Sequence, residues 1–415
     1  MARNPRAQGP RPLMLHLAVQ MASLMGSIAA LPLLKSASRS LKGPFSSLAP
    51  ELAAANPEAL NRAIAAEAER QIRQFQAGIE AWQNHPYRRS LADPPVLWAE
   101  GSTRLLDYGG SGQKGAVLLV PSLVNRAYIL DLAPGRSLAR FLAGQGLRVF
   151  LIDWDAPGEA ERDFSLSDYI AGRLETALRA SVRAHGAKVA VAGYCMGGLL
   201  ALALAQRRPE AVTKLALLAT PWDFHADKAE QAAMLASLKP WLTPLLEQAG
   251  ELPLDLLQSL FAALDPDLAV RKFRAFSQLD PASPEAQAFV SLEDWVNDGV
   301  ALTRKVAWET LFGWYGENRP FMGCWEVAGR AVRPGDVTCP TLVVVPGQDR
   351  IVPPAQARAV MTQLPKAELV QLAAGHIGMM VGGKAEEKLY RPLSDWLRAS
   401  CDKSDAVSLG LGERA

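Results

Sequence analysis

The residues best suited to chemistry lie in the segment VAVAGYCMGGLLALALA, residues 189–205, where Gly193 and Gly197 flank Cys195. The apolar run before Cys195 predicts a strand and the run after it predicts a helix, so Cys195 would occupy the turn between them. In a turn this tight the flanking positions must be glycine, and the central side chain is exposed at a helix N-terminus, which favours a thiolate. The GxCxG spacing therefore predicts a nucleophile elbow with sulfur in place of oxygen. The alternative is a buried structural cysteine before an ordinary glycine-rich turn.

A cysteine nucleophile needs a histidine base and an acid that orients this base. Asp349 and His376 each follow an apolar run, in VVVPGQDRIVPP and LVQLAAGHIG, and they occur in the chain order nucleophile, acid, histidine. The other histidines are His16, His85, His185 and His225, and none of them follows a predicted late strand. We therefore predict His376 as the base and Asp349 as the acid. Asp223, in TPWDFH after another predicted strand, is the alternative acid.

An acyl-transfer site also needs two backbone N–H groups to bind the developing oxyanion. The residue after the nucleophile, Met196, is predicted to supply the first. The second is predicted to come from the loop PSLVNRAY, with Val124 as the donor. A cysteine thiolate exchanges with a thioester at little thermodynamic cost, so the predicted site favours thioester substrates.

Six short apolar runs are spaced as buried strands that alternate with helical segments. They cover residues 116–122, 147–154, 188–194, 214–221, 340–349 and 367–376. Alternating strands and helices predict a mostly parallel sheet with helices on both faces. With the elbow after the third of these strands, the pattern predicts an α/β-hydrolase fold.

The remaining segments define the predicted domain organisation. Residues 1–95 contain a long helical pattern that opens at Asn56 or Pro57, and they form a predicted N-terminal helical region. The catalytic domain is predicted over 96–400. Within it, the helix-rich stretch of about 225–315 is too long for a loop and is predicted to be a cap over the strand ends. Residues 401–415 are predicted to be a flexible tail.

The composition argues against several classes of function. Lysine and arginine total 44 against 42 acidic residues, so the formal charge is +2, and there is no basic block that would indicate nucleic-acid binding. The four cysteines are scattered, and no metal-ligand spacing occurs, so neither a metal nor a cofactor is predicted. A reduced cytoplasmic setting is the simplest interpretation. Residues 12–34 are apolar but interrupted by polar residues, which favours an amphipathic helix over a bilayer span, with secretion as the alternative.

Four blocks together resemble the polyhydroxyalkanoate synthase family, over roughly residues 95–397. They are LVPSLVNRAYILDLAPGRSLARFLAGQGLRVFLIDW, AGYCMGG, DRIVPP and GHIGMMVGGKAEEK. The short chain and its GHIG ending are most similar to class III catalytic subunits. The resemblance places the family's nucleophile, aspartate and histidine on Cys195, Asp349 and His376.

The resemblance implies polymerisation of (R)-3-hydroxyacyl-coenzyme A, with the growing polyester held as a thioester on Cys195 and with release of coenzyme A. It also implies a homodimer, an accessory synthase subunit and association with the surface of polyester granules in the cytoplasm. Two alternatives stay open. The same residues could serve a thioesterase or polyester depolymerase, or the chain could be a non-catalytic granule-associated protein.

Overall fold

The computed structural model describes residues 6–36, 49–364 and 366–399. The described chain forms two compact units. The helical unit contains the described residues of 6–90 together with 252–301, and the sheet unit contains those of 91–251 together with 302–399. The predicted tail, 401–415, lies outside the described residues.

The strands of the large sheet are β1 (Val96–Glu100), β2 (Thr103–Asp107), β3 (Ala116–Val120), β4 (Arg148–Asp153), β5 (Val189–Tyr194), β6 (Val212–Leu218), β7 (Thr341–Pro346) and β8 (Ala367–Leu372). Two-residue strands lie at Glu251–Leu252, Leu302–Thr303, Glu326–Val327 and Arg330–Ala331. The α-helices are α1 (Leu13–Ser36), α2 (Ala49–Ala54), α3 (Pro57–Gln83), α4 (Leu138–Gly144), α5 (Glu175–His185), α6 (Met196–Arg207), α7 (Ala229–Ser237), α8 (Lys239–Ala249), α9 (Leu254–Ala262), α10 (Leu268–Phe276), α11 (Pro284–Asn297), α12 (Arg304–Trp308), α13 (Pro354–Arg358), α14 (Gly378–Val381) and α15 (Arg391–Arg398). Turns of π-helix occur at Asp168–Leu174, Glu309–Gly316 and Glu386–Tyr390.

The sheet unit is built on an eight-stranded sheet in the order β1-β2-β4-β3-β5-β6-β7-β8. Strands β3 to β8 run parallel to one another, whereas β1 and β2 form an antiparallel hairpin at one edge, and β2 also pairs antiparallel with β4. Every residue of β3, β5 and β7 is buried, because helices cover both faces of the sheet. The predicted α/β-hydrolase architecture is confirmed. The carboxyl ends of β3, β5, β6, β7 and β8 meet at one edge, and Cys195, Asp349 and His376 follow three of these ends.

The helical unit has its own aromatic core. Phe273 on α10 packs against Phe75 and Trp82 of α3, with ring centroids 6.2 and 5.6 Å apart, and it also contacts Phe289 on α11 at 5.3 Å. A Cβ on Gly78 would lie 2.0 Å from the Phe273 carbonyl oxygen, so only glycine allows α3 and α10 to approach this closely. The start of α3 is as predicted, with the Asn56 side chain accepting hydrogen bonds from the first helical N–H groups.

This packing changes the predicted boundaries. The predicted cap, about 225–315, is helical as expected, but its central part, 252–301, forms one unit with the N-terminal region. The reason is the apolar face of α10, which buries its aromatic residues against α3 in preference to leaving them in water. The predicted position of a cap over the strand ends stays a prediction.

Helix α1 covers the interrupted apolar stretch of residues 12–34. Met14 and Met21 on this helix are 77% and 56% exposed. In the part of the chain that the structure describes, no helix is both long enough and apolar enough to cross a bilayer.

Candidate active site

Cys195 lies in the sharp turn between β5 and α6, with φ 56° and ψ −127°. This left-handed conformation is strained for any residue with a side chain, and it is typical of functional positions. Its neighbours must be small. A Cβ on Gly193 would lie 2.4 Å from the Gly197 carbonyl oxygen, and a Cβ on Gly197 would lie 2.1 Å from that of Val120. The Cys195 N–H donates to the Leu218 carbonyl at 2.8 Å, which holds the turn against the neighbouring strand β6.

A third glycine that the sequence analysis did not single out is equally constrained. A Cβ on Gly198 would lie 1.8 Å from Oγ1 of Thr220, which is buried at the end of β6. The signal was present in the sequence, since CMGG contains two adjacent glycines at the start of a helix that otherwise lacks them. The first turn of α6 therefore packs directly against the residues that follow β6.

Asp349 and His376 form a buried hydrogen-bonded pair. His376 Nδ1 donates to Asp349 Oδ2 at 2.6 Å, and the two residues are 7% and 5% exposed. The other carboxylate oxygen, Oδ1, accepts the N–H groups of Ile351 and Val352, each at 2.8 Å. Because both oxygens have partners, the carboxylate has a single orientation, and it fixes the orientation of the imidazole.

The pKa of His376 reflects the charges around it. Burial by itself would lower this pKa, but it is outweighed by the negative charge of Cys195 and by hydrogen bonds to Asp349 and Cys195. Together they raise the pKa to about 10. The structure thus places His376 in a hydrogen bond with Asp349 and within electrostatic reach of Cys195. Such an arrangement is typical of a cysteine nucleophile beside a histidine base that an acid orients.

Asp223, the alternative acid, has a different set of partners. Its Oδ1 accepts the N–H groups of His225 and Ala226 at 3.0 and 3.2 Å, and the Asn318 side-chain amide at 2.8 Å. These contacts stabilise the turn after β6. His225 in turn donates through Nε2 to the Tyr315 carbonyl at 3.0 Å. The acid that bonds to His376 is therefore Asp349.

The two predicted oxyanion donors differ in their surroundings. Met196 is the first residue of α6, so its N–H has no carbonyl partner within the helix. The Val124 N–H donates to the Ser122 hydroxyl at 3.1 Å. A role for Val124 in binding an oxyanion would require this bond to be exchanged for one to the substrate, and both roles stay predictions.

Two tyrosines near the site were missed by the sequence analysis. Burial raises the pKa of Tyr194 well above its usual value, and the negative charges of Cys195 and Asp349 add to this shift. The pKa of Tyr315 is raised by the same causes in the same order. Both phenols therefore stay protonated and lie within electrostatic reach of the catalytic groups. Tyr194 precedes Cys195 directly, but a single chain gives no reason to distinguish it from any other buried aromatic residue.

No metal centre accompanies these residues. In residues 6–36, 49–364 and 366–399, no group of three or more His, Cys, Asp or Glu side chains could hold a metal ion. Cys195 and Cys324 are outside any disulfide.

Comparisons with known proteins agree with the fold. The family model described as alpha/beta hydrolase fold matches residues 115–383, which include the elbow, Asp349 and His376. The class is therefore that of an α/β-hydrolase-fold protein with a cysteine at the elbow.

Relatives of the chain define the family more narrowly. The poly(3-hydroxyalkanoate) polymerase subunit PhaC of Allochromatium vinosum is 30% identical over 285 residues, which cover 68% of this chain and 80% of that protein. The proteins of the same name from Thiocystis violacea and Synechocystis are 28% and 29% identical, covering 70% and 68% of this chain and 82% and 77% of theirs. The chain belongs to the polyhydroxyalkanoate synthase family.

Proposed function

We propose that this protein is a polyhydroxyalkanoate synthase that polymerises (R)-3-hydroxyacyl-coenzyme A through an acyl thioester on Cys195. The observation that carries the proposal is the strained elbow cysteine within electrostatic reach of a His376 that is itself hydrogen-bonded to Asp349. The relatives that share most of the chain's length bear the name of this polymerase, which supports the same assignment.

In the first half-reaction, the Cys195 thiolate attacks the carbonyl carbon of the acyl thioester. The N–H groups of Met196 and Val124 stabilise the oxyanion, and the carbon–sulfur bond to coenzyme A then breaks. Protonated His376 donates its proton to the leaving coenzyme A thiolate, so free thiol departs and the acyl group stays on Cys195. One thioester replaces another, so this step has little thermodynamic cost.

In the second half-reaction, the 3-hydroxyl of another hydroxyacyl unit attacks the Cys195 thioester. Neutral His376 accepts the hydroxyl proton, an ester bond forms, and the Cys195 thiolate leaves. Asp349 holds the imidazole in the orientation that both steps require. Water could replace the hydroxyl in this step, and the product would then be a free hydroxy acid.

A purified-enzyme assay tests the proposal. (R)-3-Hydroxybutyryl-coenzyme A is supplied to wild type, Cys195→Ala and Cys195→Ser, and coenzyme A release is followed together with recovery of polymer. Cys324→Ala is the matched control, because Cys324 is also a free cysteine but is exposed and outside the site. We expect release with polymer in wild type and in Cys324→Ala, and loss of both in Cys195→Ala.

The other outcomes would contradict the proposal in distinct ways. Release of coenzyme A with only free hydroxy acid would identify a thioesterase. Absence of release in wild type would contradict synthase activity on this substrate by the chain alone. The homodimer, the accessory subunit and association with a granule surface stay predictions, to be examined by ultracentrifugation and by co-purification.

A further inference from the structure

Tyr194 connects the nucleophile to the base directly. It is the last residue of β5, and its side chain is 3% exposed. Its ring lies against the imidazole of His376, with centroids 5.1 Å apart and planes inclined by 32°. Its hydroxyl donates to the main-chain carbonyl of His376 at 3.2 Å. One side chain therefore contacts both the ring and the backbone of the predicted base.

The hydroxyl can act only as a donor in this place. Burial, with the charges of Cys195 and Asp349, raises the pKa of Tyr194 well above its usual value, so the phenol stays neutral throughout the working pH range. The acceptor is a main-chain carbonyl, which has no proton to give. The direction of this hydrogen bond is therefore independent of the protonation states of Cys195 and His376.

The loop that carries His376 is also joined to the loop of Asp349. Backbone hydrogen bonds join this loop to the loop of Asp349, with the Gln348 N–H donating to the Ala374 carbonyl at 3.0 Å. These bonds, with the Asp349 carboxylate, fix His376 relative to Asp349. The elbow is joined to this part of the sheet through β6, since the Cys195 N–H donates to the Leu218 carbonyl and the Ala219 N–H donates to the Val344 carbonyl. The contact from Tyr194 comes from the residue next to Cys195 in the chain and reaches the imidazole itself, so it joins the elbow to the ring of His376 without passing through the sheet.

We propose that Tyr194 is a positioning residue that sets the distance between the Cys195 sulfur and the His376 imidazole. The inference rests on the proposed pairing of Cys195 with His376. It differs from a role in core packing, because packing requires only the ring, whereas positioning also requires the hydroxyl. The two roles can be separated by a substitution that removes one oxygen atom.

The test compares Tyr194→Phe with Tyr390→Phe, both in a Cys324→Ser background that removes the exposed thiol. Tyr390 is the matched control, since it is also buried in the sheet unit and its hydroxyl also donates to a main-chain carbonyl, that of Met380. The readout is the rate at which iodoacetamide alkylates Cys195 as a function of pH, with mass spectrometry to identify the modified cysteine. The midpoint of thermal unfolding of each variant reports how much stability is lost with its hydrogen bond.

We expect Tyr194→Phe to slow alkylation by about 3- to 10-fold near neutral pH and to shift its pH profile upward, because a displaced imidazole stabilises less thiolate. Tyr390→Phe should lower the unfolding midpoint similarly and leave the profile unchanged. A wild-type profile in a folded Tyr194→Phe protein would overturn the proposal. So would an equal shift in both variants, which would indicate a general loss of stability.

A His376→Gln variant distinguishes failure of this inference from failure of the proposed function. If alkylation of wild type and of His376→Gln follows the same pH profile, Cys195 and His376 are not paired, and the proposed chemistry fails together with the role of Tyr194. If His376→Gln changes the pH profile of alkylation and Tyr194→Phe does not, Cys195 and His376 are paired, and only the positioning role of Tyr194 is wrong.

Discussion

The sheet unit and the helical unit are stabilised in different ways. In the sheet unit, the elbow depends on contacts between backbone atoms, with Gly193 and Gly197 allowing carbonyl groups to approach where no Cβ could fit. In the helical unit, one aromatic cluster around Phe273 joins segments that are far apart in the sequence. The proposed chemistry lies at this constrained backbone. The comparison therefore predicts that changes in the two units affect different properties of the protein.

The largest expected effect is a loss of turnover when the acid of the sheet unit, Asp349, is substituted. Asp349→Asn keeps the shape of the side chain at this position but removes the negative charge that orients and stabilises protonated His376. We expect turnover with (R)-3-hydroxybutyryl-coenzyme A to fall by roughly 10³- to 10⁴-fold, by analogy with the same change in serine proteases. Asp223→Asn is the control and should reduce turnover by less than about 10-fold, because Asp223 only stabilises a turn. Equal losses in the two variants would contradict the assignment of Asp349.

The second effect separates the two cores. Phe273→Ala should destabilise the helical unit by about 3–5 kcal/mol, and Phe150→Ala should destabilise the sheet unit by a similar amount, since both rings are fully buried. Hydrogen exchange followed by mass spectrometry measures each unit separately. We expect Phe273→Ala to expose amides of α3 and α10 while the alkylation rate of Cys195 is retained. Loss of protection at β5 in this variant would show that the units do not respond independently.

The third effect is an opposite response of the two units to pH. In the sheet unit, the pKa of His376 is raised from 6.5 to about 10, so the stability that its protonation contributes is complete below pH 6.5 and is lost as the pH rises through about 10. In the helical unit, burial lowers the pKa of His16. The nearby charge of Lys272 also lowers it, and a bond to the Arg11 carbonyl opposes these effects only in part.

His16 therefore contributes stability above pH 6.5 that is lost as the pH falls. Urea unfolding of wild type, His376→Gln and His16→Gln at pH 5, 7 and 10 checks both signs. The stability difference between wild type and His376→Gln should shrink toward high pH, and that for His16→Gln should shrink toward low pH. A trend of the same sign in both variants would contradict the difference between the units.

The smallest expected effect is on the free energy of unfolding when exposed apolar side chains are substituted. Trp241 in the sheet unit is 79% exposed and Leu268 in the helical unit is 49% exposed. Trp241→Ser and Leu268→Ser should each change the free energy of unfolding by no more than about 0.5 kcal/mol. A larger loss in either variant, measured at two protein concentrations, would show that another molecule covers that side chain.

The sequence was sufficient for those parts of the protein that depend on local patterns. Each of the six apolar runs corresponds to a strand of the sheet. Strands β3, β5 and β7 are continuously apolar because both of their faces are covered, whereas the edge strand β8 is largely exposed. The residues Cys195, Asp349 and His376 could be selected because each follows such a strand. Gly193 and Gly197 follow from the geometry of the turn alone.

The remaining features depend on contacts that no local pattern encodes. The pairing of α10 with α3 depends on Gly78, whose purpose is visible only when the Phe273 carbonyl lies against it. The β1–β2 hairpin has short strands with few buried residues, so its signal was weak. Tyr194 could not be selected because its partner, the His376 carbonyl, is far away in the chain.

The backbone of Cys195 has a consequence for how the protein would change if selection on its activity were relaxed. A residue with φ 56° and ψ −127° costs of order 1–3 kcal/mol unless it is glycine. A change of Cys195 to glycine would therefore relieve strain in the folded state and be tolerated or even stabilising, although it would remove the nucleophile. An inactive descendant of this protein would thus drift readily to glycine at this position, while the neighbouring glycines stayed unchanged. Among such descendants, a glycine in the place of Cys195 would be the mark of lost catalysis in an intact fold.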